Sequence, residues 1–397
     1  MKKQLFFIAI AGLFTSMASA ADLYVRDFGA GGAYSTISAA ITAAADGDRI
    51  IIKPKAGGIP YLENLTIDKS LTFVCETNFT KYLVQGSISV TPLAARVVTI
   101  NNINLTSSIQ VSGATPSGRT TLNVFNSIIG GSVDAQQVNT TLNCSGNVVT
   151  SIGLTHGRVT ANRCAGISVI SASLDSNPAT DDIEIIANYI VPTASFGVSF
   201  GQKNYKFRFT NNYLLGNMNI TAVKNASSNE IINNVITNYN FFTASTIQVS
   251  LTGTNAGLIS IINNVLCSYL DSFSEVGCNT GTQASVYVFY NISNTAFVTA
   301  TAVTSASSNI SNASLTFSTS TYTVTGSGIT NGGYPEDDYA DIDLSRNDLG
   351  NWGGSDSWAN YWPTAVGNKP QVNYLSTPRR IYTGTTEMNA TGAGHSK

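Results

Sequence analysis

From Asp22 onward the chain alternates very short apolar runs with polar bends. Segments such as TTLNVFNSIIGGSV (120–133), FRFTNNYLLGNMNI (207–220), EIINNVITNYNF (230–241) and ISIINNVLCSYL (259–270) share one plan. A strand of three to five residues is followed by one or two asparagines and a second short strand. The asparagines Asn126, Asn147, Asn162, Asn188, Asn212, Asn234, Asn264 and Asn291 recur every 15 to 30 residues, and Asn101-Asn102 marks an earlier bend. Strands this short bury little alone, but stacked coils bury a continuous apolar interior. Asparagine tolerates the left-handed backbone at a bend. Its amide both donates and accepts, so bends about 4.8 Å apart can form a side-chain ladder. The pattern therefore predicts a parallel β-coil. About twelve coils over 48–330 would give a rod near 60 Å long.

The first helical period lies at 34–46. Ile37, Ala40, Ile41 and Ala44 fall at i, i+3, i+4 and i+7, with Ser35 a candidate N-cap and Gly47 a stop. A rod has open strand edges at its ends. The helix is expected to lid the first coil, with Arg49–Lys53 as the first full strand. Ahead of it, Lys2 and Lys3, an apolar Leu5–Phe14 and Ala18-Ser19-Ala20 read as a signal peptide cleaved near Ala20. The expected organisation is a signal peptide (1–20), a strand and lid (21–47), coils (48–330), an acidic and aromatic cap (331–367) and a tail (368–397). The protein is expected to be secreted or at the outer cell surface, with no transmembrane segment.

Charge changes the picture by its scarcity: 11% of residues are charged and the net charge is -2, which argues against a nucleic-acid face. The five cysteines are too few for a disulfide scaffold. Cys267 and Cys278 could close one loop, and Cys144 and Cys164 could stack or bond. Buried free thiols are the equal alternative, with Cys75 left over.

Residues 22–73, including Gly47-Asp48 before Ile50-Ile51-Ile52 and then Tyr61, Glu63, Leu65 and Ile67, resemble the opening of pectin-lyase-like proteins. That resemblance implies an all-β, right-handed parallel β-helix with a short capping helix. Arg346, Asn347, Asp348, Gly350, Gly353 and Gly354 resemble the closing segment of secreted Bacteroidota-type β-helix proteins of unassigned function. The superfamily's catalytic sets do not map on. Asp134 lacks the methylesterase-like strand around it. His156-Gly157-Arg158 and Asp181-Asp182 stand in the wrong order for polygalacturonase-like enzymes.

Of the two histidines, His156 reads as a surface or loop residue. A diverged polysaccharide lyase, esterase or glycoside hydrolase would draw on His156, Arg158, Arg163, Asp181 and Asp182. Asp341, Asp343 and Asp348, in an acidic run from Glu336, could hold Ca²⁺ or could simply fasten turns. No other cofactor is implied. Trp352, Trp358, Tyr361 and Trp362 form either a sugar-stacking platform or an apolar plug under the last coil. The leading expectation is a non-catalytic, adhesin-like surface protein that binds carbohydrate or a matrix component. The alternatives are the diverged enzyme and a structural rod.

Overall fold

The computed structural model describes residues 20–170, 174–192, 196–238, 245–251, 257–268, 274–279, 284–318, 320–361, 371–376, 387 and 391–395. The expected signal peptide and Trp362 lie outside the described residues. Thirteen strands form one parallel sheet in chain order. They are β1 (Asp22–Val25), β2 (Arg49–Ile52), β3 (Thr72–Cys75), β4 (Val97–Asn101), β5 (Thr120–Phe125), β6 (Thr140–Ser145), β7 (Gly157–Thr160), β8 (Ile183–Ile186), β9 (Phe207–Thr210), β10 (Ser228–Ile232), β11 (Leu258–Ile262), β12 (Ser285–Phe289) and β13 (Ser305–Ser307). A second sheet of 18 strands wraps the rest of each coil. This is a parallel β-helix. Thirteen layers at the strand spacing give a stack of roughly 58 Å. The strand Asp22–Val25 is already the first layer, paired in parallel with β2.

Register makes the interior. Leu23, Ile50, Phe73, Ile100, Val124, Cys144, Val159, Ile185, Phe209, Ile231, Ile261, Val288 and Ala306 occupy one column, each beside the next. From Ile50 to Val288 these residues are buried.

The two tasks assigned to asparagine fall on adjacent residues. The left-handed position of the bend is held by Asn102, Asn126, Gly146, Ala161, Ala187, Asn211, Asn233, Asn263, Tyr290 and Ser308. The ladder sits one residue later, at Asn147, Asn162, Asn188, Asn212, Asn234, Asn264, Asn291 and Asn309. Each ladder Oδ1 accepts the backbone N–H of the preceding rung at 2.8–3.0 Å. Each amide nitrogen from Asn162 to Asn291 donates to a carbonyl one coil back, as Asn212 does to Ile185 at 2.9 Å. Asn126 is therefore not a ladder member. It holds the left-handed position, and Ser127 stands on the rung, its N–H donated to Asn147 Oδ1 at 2.8 Å.

The helix α1 (Ile37–Ala43) buries Ile37, Ala40, Ile41 and the following Ala44 in the same core as the first coils. Thr36, not Ser35, is the N-cap, its Oγ1 accepting Ala39 N–H at 3.2 Å. The second coil clasps both ends. Glu63 accepts the N–H groups of Ile37 and Ser38, and Lys69 Nζ donates to the carbonyls of Ile41, Thr42 and Ala44. These pairings match orphan donors with an anion and orphan carbonyls with a cation.

The parallel strands end at Ser307, short of the expected 330. An antiparallel pair, Leu315–Phe317 with Val324–Gly326, follows. The chain then runs back along the flank of the rod as a strap. Gly350 N–H bonds Asn263 O. Asn233 Nδ2 reaches Asn347, Asn211 Nδ2 reaches the carbonyls of Asn351 and Gly353, and Asp356 meets Arg208. The strap covers an outward apolar row of Tyr213, Val235, Val265 and Ile292. The tail's Gln371–Ser376 and Thr391–His395 pair as an antiparallel hairpin. All five cysteines are free thiols, and burial pushes Cys144 and Cys267 up to about 12. Among the described residues no helix is long and apolar enough to cross a membrane.

Candidate functional site

The outward row of the first sheet begins with amides and continues as charges. Asn143 donates to Asn123 Oδ1 at 2.8 Å, and Asn123 to Thr99 at 3.0 Å. Arg158, Glu184, Arg208 and Glu230 then stack with alternating sign, joined at 2.8, 3.2 and 3.1 Å, and Asp356 of the strap closes on Arg208 at 3.1 Å. The signal in the sequence was one charged residue at the same place in successive strands: GRV, IEI, FRF, NEI.

Beside this row lies His156. It is 1% exposed, which corrects the expectation of a surface histidine. Its Nδ1 meets Thr141 Oγ1 at 3.0 Å, and its Nε2 meets the Asp181 carbonyl at 3.1 Å and carboxylate at 3.5 Å. Tyr205 packs on the ring at 4.4 Å. Burial lowers the imidazole pKa from its ordinary value, against the pull of Asp181. Arg119, Asp175 and Tyr205 form the adjoining clasp. Asp175 accepts from Arg119 at 2.9 Å and from the Tyr205 hydroxyl at 2.5 Å. Of the five residues considered for catalysis, His156, Arg158 and Asp181 thus come together, and Arg158 is 3.4 Å from Asp181. Asp182 instead pairs with Lys206 at 2.8 Å. Arg163 lies on another face, over the Tyr189 ring. The gathered groups spend their polar atoms on one another and hold the 174–182 segment against the coils.

The strap assembles a different set. Asp341, Asp343, Asp348, Ser345, Asn331 and Trp352 line an open groove of about 490 Å³. A second groove of about 230 Å³, lined by Thr323, Thr325, Asp348 and Asn351, shares Trp352 as its wall. Trp352 is partly buried, and its Nε1 donates to Tyr322 O at 3.2 Å. The other aromatics do not form a platform with it. Trp358 is fully buried with its Nε1 on Asn211 O, and Tyr361 is partly buried against the same cluster. A buried ring cannot stack on a sugar, so Trp358 leaves the ligand-binding set. Nor do these rings plug the bottom of the rod; they pack on its flank.

The carboxylates are largely committed to the backbone. Asp341 accepts the N–H groups of Asp348 and Gly354, Asp343 accepts both donors of Ser345, and Asp348 accepts Asn331 N–H at 2.7 Å. Burial raises the Asp341 pKa, helped by Asp348 and Asp343, whereas the Ser345 hydrogen bonds lower that of Asp343. Among the described residues no three His, Cys, Asp or Glu side chains are grouped so as to hold a metal ion. No protein-family model matches the chain, and neither does any curated protein or solved structure. On the second sheet, Asp134 lies in an open trough of about 250 Å³ with Ser132, Ser151, Ser168 and Ser199, its carboxylate accepting Gln136 N–H at 3.0 Å.

Proposed function

We propose that the protein is an exported, non-catalytic, pectin-lyase-like β-helix of the cell surface that binds glycan through the Trp352 grooves. The observation that carries this reading is the juxtaposition of a partly exposed indole with hydroxyl, amide and carboxylate groups around one open groove of about 490 Å³. Ligand sites combine such an apolar wall with a few placed polar groups. The indole offers a flat face for the C–H side of a pyranose, and Asp343, Ser345, Asn331 and Thr330 offer partners for its hydroxyls. Three carboxylates around one groove repel a polyuronate, so the preferred ligands are neutral or amino sugars. The same argument lowers the standing of a polyuronate lyase, as does the mutual pairing of His156, Arg158 and Asp181.

A glycan array followed by titration calorimetry tests the reading, with Trp352→Ala and Trp352→Phe beside the wild type. The expected result is binding of neutral or amino-sugar glycans, weakened about tenfold or more in Trp352→Ala and retained in Trp352→Phe. Binding indifferent to Trp352→Ala, or turnover of a polyuronate, would overturn it.

A further inference from the structure

The two ends of the rod are built differently. The first layers carry Asp22 and Arg49 in a bidentate pair, Arg26 on Glu76, and Glu63 and Lys69 on the ends of the lid helix. Charges and a helix are two of the devices that protect a strand edge. Among the described residues, the last strand at the other end carries neither a charge nor a covering helix. From Val276 through Pro335 the chain contains no charged residue. The last strand, β13, pairs on one side only, with β12. Ser305, Ala306 and Ser307 are all exposed, and so are the flanking Thr304 and Ser308.

The exposed edge is more than a frayed terminus. Ala306 stands at the end of the core column, directly below buried Val288. Beside it Phe297, Ala300, Ala302 and Val303 are only partly buried against the core, and Val298 is 41% exposed. The hydrophobic interior therefore reaches the surface here, beneath a strand with free backbone groups. Within β13, Ser307 O accepts Tyr290 N–H at 3.4 Å. Successive residues of a parallel strand address opposite neighbours. Ser305, two residues earlier, therefore also turns its peptide groups to β12, and those of Ala306 between them point away from it. The strap does not cover this end, because it docks on the flank at Asn263, Asn233 and Asn211. The tail hairpin forms a two-stranded sheet of its own.

We propose that this end is an interface for a second copy of the chain, with β13 pairing antiparallel to β13 across a two-fold axis. An edge strand is self-complementary in hydrogen bonding when paired antiparallel, and the lack of charge removes like-charge repulsion across the axis. The apolar groups beneath, led by Ala306 and Val298, then face their own equivalents. The lidded end cannot accept the open one, so the contact is isologous and closes at the dimer instead of growing into a filament. The product is a double-length rod with a lid at each outer end.

Sedimentation velocity across a concentration series, with small-angle scattering on the same samples, tests this on the purified protein. The expected result is a monomer–dimer equilibrium in which the dimer's stack is roughly 120 Å long, against roughly 58 Å in the monomer. Ala306→Lys places like charges across the axis and is expected to weaken association at least about tenfold. Ala306→Pro removes the outward N–H and is expected to act likewise. Unchanged circular dichroism in both variants separates loss of association from loss of fold. A monomer at every concentration, a dimer that is wider but no longer, growth beyond the dimer, or a dimer indifferent to Ala306→Lys would each overturn the proposal.

Discussion

Asn212→Ala should be the most damaging small substitution in the rod for its size. Asn212 is fully buried in the middle of the ladder. Its Oδ1 accepts Asn188 N–H and Asn188 Nδ2, both at 2.9 Å. Its Nδ2 donates to Ile185 O at 2.9 Å, Thr210 O at 3.0 Å and Asn234 Oδ1 at 3.1 Å. Truncation leaves the buried Asn188 N–H without its acceptor and takes a donor from the Ile185 carbonyl. Such losses cost about 1–3 kcal/mol each, so the variant is expected to lose about 2–5 kcal/mol. That is a large share of a total usually about 5–15 kcal/mol. Asn123→Ala is the control, because Asn123 bonds only its neighbours on the solvent side of the first sheet. Its loss should be about 1 kcal/mol or less. Urea unfolding followed by far-ultraviolet circular dichroism reads both. If Asn212→Ala falls within about 0.5 kcal/mol of Asn123→Ala, the ladder does not hold the coils together.

Two further outcomes follow from buried titratable groups. His156 is held neutral by burial, below the ordinary imidazole pKa, while the unfolded chain takes up a proton near pH 6.5. Its contribution is therefore present above that pH and lost as pH falls, so melting temperatures should drop below about pH 6.5 in the wild type and less steeply in His156→Gln; parallel profiles would contradict this. Cysteine titration without reductant should find five thiols after denaturation and a fast reaction at Cys75 alone in the native protein, since the other four are buried; fewer than five would mean that a disulfide forms.

The architecture was legible because the ladder asparagine repeats locally in eight successive coils, from Asn147 to Asn309. Which of two adjacent residues performs which task was less so. Asn126 looks like its neighbours in the series, yet Ser127 stands on the rung, because a hydroxyl can serve there. The lid was readable from the spacing of Ile37, Ala40, Ile41 and Ala44, and its clasp by Glu63 and Lys69 was not, since those residues come from the next coil.

The strap was hidden for the same reason: no period states which coil a distant segment rests on. A trace of it was nevertheless present. Asparagine is doubled at 211–212, 233–234 and 263–264, where the strap docks, but Ala161-Asn162 and Ala187-Asn188 carry alanine at the left-handed position. Alanine is the costlier residue in that conformation. The extra amides are present where Asn211 and Asn233 donate to the strap and Asn263 Oδ1 accepts Tyr334 N–H. The Trp352 groove inherits this history. Asp341, Asp343, Asp348 and Trp352 were each singled out, but the strap's path brings them together and buries Trp358.

The most direct test of the stack is a ladder of distances between spin labels in the first sheet. Labels at Asn123 and Ser260 span six layers, and labels at Asn123 and Tyr287 span seven. Electron–electron resonance should give backbone separations of roughly 29 and 34 Å, a step of one strand spacing for 27 residues of chain. Separations that do not rise by that step, as in hairpin-paired strands or two globules, would contradict the parallel coil.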